Sequence, residues 1–308
     1  MASSRALERA TLESPDDSVE AAATAATLSN ESTPLNLLIG TPFYLIHLLP
    51  FAAIWTGVRW VDVAVCVALY AIRMWAVTGV YHRYFSHRTY KTSRVFQFFL
   101  AFLAMTSAQK GVLWWAAHHR HHHKHSDEDI DTHSPVTASF FFSHVGWLFL
   151  NRNNATDYSK IKDFAKYPEL RFLNRFYLLP PIILGAVVFL TMGWSGLLIG
   201  FFLSTVFLWH GTFFINSLAH VFGRKRFDTK DESRNNGWLA LITLGEGWHN
   251  NHHYYQSSCR QGFYWWEIDL TYYVIKGLEF VGLVWDVREP PERVLEEGRR
   301  RDAAAASG

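Results

Sequence analysis

Four long apolar runs, grouped as two close pairs, limit most tightly what this chain can fold into. Leu35 to Val58 and Val61 to Tyr81 are separated by only a few residues, and Phe176 to Met192 meets Trp194 to Asn216 across Gly193 alone. At about 1.5 Å of rise per residue, each run can cross a bilayer as a helix. The expected fold is an all-α membrane protein: four transmembrane helices in two hairpins, with the remaining ordered chain gathered into a helical cap. The cap would comprise residues 82–175 and 217–291. Val95 to Ala108 is apolar but too short to span, which suits a re-entrant or interfacial helix.

Charge distribution orients this arrangement. The connections near Arg59–Asp62 and Gly193 are short and almost uncharged, while nearly every Lys and Arg falls in the N-terminal tail, in 82–175 or beyond 220. With four spans those three regions share one side, which the positive-inside rule makes cytoplasmic, both termini included. One charge, Arg73, sits at membrane depth, where such residues face the bundle interior or snorkel. Residues 1–34 lack aromatic residues and read as a disordered tail. Their basic start is not followed by the apolar core of a signal peptide. The segment 263–285 reads as one aromatic helix on the cap or at the interface, and 292–308 as a flexible tail. A net charge of +2 offers no electrostatic case for nucleic acid.

Sixteen histidines stand out against a charged content of 18%. His119, His122 and His123 are spaced i, i+3, i+4, one face of a helix, and His249, His252 and His253 repeat the pattern. Asn216 and His220 are four apart at the cytoplasmic end of the fourth span. His82 and His87 are five apart, about 140° around an ideal helix, so they require a frayed helix end or serve two ions. These nine imidazoles and one amide are too many ligands for one metal ion and a fair number for two. His118, His121 and His125 lie off the helical face of His119; His47, His144 and His210 read as packed residues. The only cysteines, Cys66 and Cys259, cannot build a disulfide framework or a thiolate metal site. Imidazole suits zinc, copper, iron or nickel, so ligand type leaves the metal open. The paired carboxylates and Glu-x-x-His pattern of soluble di-iron bundles are absent.

The motifs His82-Arg83-Tyr84-Phe85-Ser86-His87, His119-Arg120-His121-His122-His123, Phe141-Phe142-Ser143-His144-Val145-Gly146-Trp147, Asn216-Ser217-Leu218-Ala219-His220 and Gly245-Glu246-Gly247-Trp248-His249-Asn250-Asn251-His252-His253 resemble the membrane fatty acyl desaturases of the Δ9 acyl-CoA type. The segment Gln109 to Trp115 is similar to the bacterial branch, which implies a bacterial inner membrane. The resemblance extends over roughly Ile72 to Pro291, within a desaturase domain of 35–291. It implies two irons held by His82, His87, His119, His122, His123, His220, His249, His252 and His253, with Asn216 near one iron through water. It also implies O2 as co-substrate and a cis double bond, Δ9 in position, placed in a long-chain acyl substrate. Animal members carry an Arg-Asp pair where this chain has Ala117 and His118, which leaves the carrier open among CoA, carrier protein and lipid. No dinucleotide, haem or cysteine-cluster motif occurs, so electrons are expected from a ferredoxin, rubredoxin or cytochrome b5-like donor with its reductase. Arg224, Lys225 and Arg226 are a candidate docking patch for that donor. Cys66, Tyr70 and Met74, four apart on the second span, are candidates for the end of an acyl tunnel, with ordinary helix packing as the competing reading. A membrane di-iron hydroxylase or alkane monooxygenase would share the boxes but leave oxygen on its product. A metal transporter would place its ligands near the midplane instead.

Overall fold

In the computed structural model, residues 40–307 are described, and the expected disordered tail at 1–34 lies outside them. The chain is mostly helical. Helix α1 (Thr41–Thr56) ends where Gly57 adopts φ 72°. Helix α2 (Trp60–Ser86) begins with a reciprocal cap: Arg59 N donates to Asp62 Oδ2 at 2.9 Å, while the Arg59 guanidinium grips the same carboxylate. Two further helices, α3 (Arg94–Met105) and α4 (Val112–His125), lead to the short α5 (Phe140–His144) and α6 (Pro168–Arg175). The next apolar run, Leu179–His220, doubles back at Gly193 (φ 73°), giving α7 (179–192) and α8 (194–220). Small residues let these helices approach: a Cβ on Gly200 would lie 3.1 Å from Val65 on α2, and one on Gly185 3.4 Å from Phe201.

Trp60–Ser86 and Leu179–His220 are long and apolar enough to cross a membrane, whereas α1 and α3 are shorter apolar helices. The two hairpin turns lie together, because Arg59 Nη2 donates to Met192 O at 2.7 Å. Arg73 is fully buried between α2 and α8, donating to Thr205 Oγ1 at 2.8 Å and Ser204 Oγ at 2.5 Å, so it does not snorkel.

Beyond α8 come α9 (Gly237–Ile242), α10 (His249–Tyr254) and α11 (Leu270–Phe280). The single helix expected over 263–285 is corrected to α11 alone, flanked by turns and a short strand. Asp269 starts α11 by accepting from Tyr272 N at 3.0 Å while also pairing with buried Arg83. After α11, β2 (Val284–Trp285) pairs antiparallel with β1 (Lys91–Thr92). The expected flexible tail is also corrected: Glu292–Ser307 forms α12. Val294 of α12 is buried with Phe227, Phe263 and Tyr264, and Asp302 pairs with Arg224 and Arg226. Charge composition suggested fraying, but one apolar residue and one carboxylate find partners far away in sequence.

Candidate metal centre

Local backbone decides how the first histidine pair is presented. From Ala76 to Ser86, α2 is a π-helix, and His87 N donates to His82 O at 3.2 Å, an i→i+5 bond. That bond stacks residues five apart, so His82 and His87 share a face that an α-helix would have denied them. Their rings are 4.8 Å apart. The frayed end expected from α-helical geometry is thus replaced by a wider helical turn.

The fold brings all nine sequence-selected histidines into two groups: His82, His87, His119, His123 and His252 in one, His122, His220, His249 and His253 in the other. In the first, Nε2 of His82 and of His123 each lie 3.0 Å from Nε2 of His252, as His87 Nε2 does from His119 Nε2. In the second, Nε2 of His220 and His249 are 3.1 Å apart. Asn216 is half-buried at the edge of an adjoining cavity. His118, His121 and His125 are engaged elsewhere, with Trp114 O, Ile130 O and Glu128 respectively.

Four carboxylates that sequence reasoning missed complete the arrangement. His122 Nδ1 donates to Asp131 at 3.0 Å, His220 Nδ1 to Asp127 at 2.9 Å, His253 Nδ1 to Asp231 at 2.7 Å and His82 Nδ1 to Glu246 at 2.5 Å. Each such bond puts the proton on Nδ1 and leaves Nε2 a bare lone pair aimed inward. Glu246 stands inside the Gly245–His253 motif and Asp127 and Asp131 follow His119–His123, so proximity in sequence was a usable signal for three of them. Asp231 carries none. The asparagines between His249 and His252 are scaffold: Asn250 Oδ1 accepts from Arg226 N and Phe227 N, and Asn251 donates to Glu267 and the Gln261 carbonyl.

Electrostatics keep the ligand atoms free. Burial, then the neighbouring imidazoles, hold His87, His119, His123, His249 and His252 well below the usual histidine range. Burial lowers His253 to about 4 despite Asp231. Burial opposes ionisation of Asp127, yet its hydrogen bond with His220 holds it at about 2. The Nδ1 atoms of His123, His249 and His252 and Nε2 of His253 are buried without a hydrogen-bond partner. Imidazole nitrogens this close together can serve as ligands of one shared cation. Lone pairs converging in a dry site, backed by four carboxylates, are repulsive unless a cation joins them. The donor set fits two metal ions.

A cavity of about 330 Å³ runs from His119, His133 and Asn216 out past Trp147, Trp209 and Phe213. Cys66, Tyr70 and Met74, the residues offered for a tunnel end, do not line this cavity. Cys66 packs with Ala53 and Ile199, Tyr70 OH donates to Ile242 O at 2.6 Å, and Met74 is buried against Gly211. The candidate docking patch is neutralised: Arg224 pairs with Asp302, Lys225 with Glu232 and Arg226 with Glu267 and Asp302.

Residues 59–285 match the fatty acid desaturase family. The chain belongs to that family. It is 36% identical over 260 residues to the acyl-CoA 5-desaturase AL21 of Anemone leveillei, covering 83% of this chain and 79% of the relative. It is 35% identical over 270 residues to the sn-1 stearoyl-lipid 9-desaturase of Anabaena variabilis, covering 85% and 97%. The Delta-9 desaturase-like 5 protein of Arabidopsis thaliana is 38% identical over 258 residues, covering 81% and 82%. The desaturase is therefore an oxidoreductase of lipid metabolism, and its histidine clusters fit a metal centre.

Proposed function

We propose that this desaturase introduces a cis double bond, Δ9 in position, into a saturated long-chain acyl substrate at a di-iron centre, using O2 and external electrons. The observation that carries the reading is a pair of all-imidazole groups, one of which reaches the wall of an apolar cavity through His119. His82, His87, His119, His123 and His252 would hold one iron, and His122, His220, His249 and His253 the other, with Asn216 reaching it through water. Bound there, the irons supply the oxidising power for removing two hydrogens from adjacent methylenes as O2, two electrons and two protons become two waters. The protein supplies placement. Asp127, Asp131, Asp231 and Glu246 hold four rings in one tautomer. Trp147, Trp209 and Phe213 exclude water and confine the chain beside His119.

The same proposal places four spans in the membrane with the histidines and both termini on the cytoplasmic side. The two turns lie together, and Trp55, Trp60 and Trp194 near them are 81%, 88% and 61% exposed, as interfacial aromatic residues would be. Relatives bear both acyl-CoA and acyl-lipid names, so the substrate is CoA-, carrier-protein- or lipid-linked, and the electron donor is a ferredoxin, rubredoxin or cytochrome b5-like protein. The test is the acyl profile, with double-bond location, of an unsaturated-fatty-acid auxotroph expressing the chain or its His122→Ala variant. New cis-monoenes that require His122 are expected. An unchanged profile from iron-loaded, membrane-inserted protein with a competent donor refutes the reading.

A further inference from the structure

Three of the histidines outside the two metal groups, His47, His144 and His210, form a chain of their own. His47 Nδ1 lies 2.7 Å from Phe43 O, His47 Nε2 3.0 Å from His210 Nε2, His210 Nδ1 3.0 Å from His144 Nε2, and His144 Nδ1 3.0 Å from Ser217 Oγ. For neutral rings one carbonyl sets every tautomer. The Phe43 carbonyl takes the His47 Nδ1 proton, so His210 donates to His47 and His144 to His210; His144 Nδ1 then shares the one Ser217 hydroxyl proton with the Phe213 carbonyl, 3.0 Å from Ser217 Oγ. The chain joins three walls of the cavity: α1 through His47, α8 through His210, and the turn at 146–149 through His144 just before it.

The first of those walls is thin. Pro42, Phe43 and Ile46 of α1 line the cavity, yet no residue of Thr41–Leu48 is buried, and Leu45 and Leu48 are 54% and 63% exposed on the outer side. Among the described residues, the His47–His210 contact is the one hydrogen bond joining α1 to another element. The C-terminal half of α1 is anchored by buried Ala53 against Cys66 and Ile199, whereas the N-terminal half is otherwise held by apolar packing alone: Ile46 against the Trp209 and Phe213 cluster, and Phe43 stacked on Trp209 at 5.6 Å and edge-on to Phe149 at 5.7 Å. A wall held by aromatic contacts and one hydrogen bond opens at lower cost than one built into the core. Among the described residues, Lys110 is the one Lys or Arg on the cavity wall; it is engaged with Asn154 Oδ1 and sits over the Trp114 ring. That is sparse provision for the several phosphate charges of a water-soluble carrier and adequate for a lipid headgroup left at the surface.

We propose that this face is a lateral gate: the acyl chain of a membrane lipid enters the cavity sideways from the bilayer, between the N-terminal half of α1 and the 146–149 turn, with the His47–His210 bond as its latch. The inference rests on the desaturase reading for its purpose, but its test does not use turnover. Full-length protein in phosphatidylcholine nanodiscs is mixed with a few percent of a diazirine-bearing stearoyl phosphatidylcholine and irradiated, and the labelled peptides are identified by mass spectrometry. Label is expected on peptides carrying Phe43, Phe149 and Trp209. Its initial rate should rise about tenfold in His47→Phe and in His210→Phe, with no further rise in the double variant and unchanged iron content. Absence of label on these cavity peptides, or equal rates in all four proteins, overturns the gate. Independent additive effects of the two substitutions overturn the latch. Correct labelling without double-bond formation would leave the gate standing and count against the desaturase reading alone.

Discussion

Asp131→Asn separates a ligand-orienting carboxylate from a merely buried one. Asp131 accepts from His122 Nδ1 on both oxygens at 3.0 Å, from Asp127 N on Oδ2 at 2.9 Å and from His133 N on Oδ1 at 3.3 Å, at 7% exposure. An amide offers one oxygen. Whichever way it turns, its NH2 meets an N–H donor, so a backbone donor is left unpaired and His122 loses a charged acceptor. Loss of such an outer partner costs about 10- to 100-fold in metal affinity, or about 1.4–2.7 kcal/mol. One unpaired buried donor adds about 1–3 kcal/mol of lost fold stability. Because His122 belongs to the four-histidine group, the loss should fall on one ion only. Metal analysis of purified protein during graded chelator competition should show one ion per chain released earlier by that factor and the other retained. Glu246→Gln should weaken the other ion, because Glu246 orients His82. Two ions leaving Asp131→Asn at the wild-type chelator concentration would refute the assignment of Asp131 to this role.

Other consequences are equally direct. Trp209→Ala and Phe213→Ala, which enlarge the cavity, should shift products toward longer or displaced chains, whereas Met74→Leu should leave chain length unchanged; gas chromatography of the acyl products decides between them. Gly247→Ala should abolish metal loading, since its Cβ would lie 2.1 Å from Ala240 N and 2.4 Å from Asn236 O, and the third histidine box would have to move; metal content reads this out. Burial lowers Lys110 to about 8. Below that pH the folded protein bears the cost of a partly dehydrated ammonium, and the cost fades between about pH 8 and 10.4 as the unfolded chain alone stays protonated. Lys110→Met should therefore raise thermal stability at pH 7 by about 1 kcal/mol after allowance for partial exposure, with the gain vanishing above pH 10 in melts across that range. Truncation after Pro291 removes Val294 and the Asp302 pairs of Arg224 and Arg226, and should lower the melting temperature while leaving both ions bound.

The sequence by itself put His119, His122 and His123 on one helical face, and likewise His249, His252 and His253, because i, i+3, i+4 spacing is a local matter of turn and rise, but it did not divide them: His122 parts from His119 and His123, and His252 from His249 and His253. It also determined the helical pairs, since Gly57 and Gly193 sit between apolar runs that must bury or face lipid. Tertiary structure decided what local geometry cannot. The π-helical turn that aligns His82 with His87 has no spacing rule to announce it, and its eleven residues Ala76–Ser86 are all buried against the rest of the fold. Asp231 reaches His253 across 22 residues and Asp127 reaches His220 across 93, with no spacing rule to announce either. Cys66, Tyr70 and Met74 do share a helical face, but which face meets a cavity depends on where α8 lies, and α8 fills that side with Gly211 and Ile199. The assignment of α12 failed for the same reason. Its charges suggest solvent, and only the folded cap brings Arg226 and Phe227 to meet it.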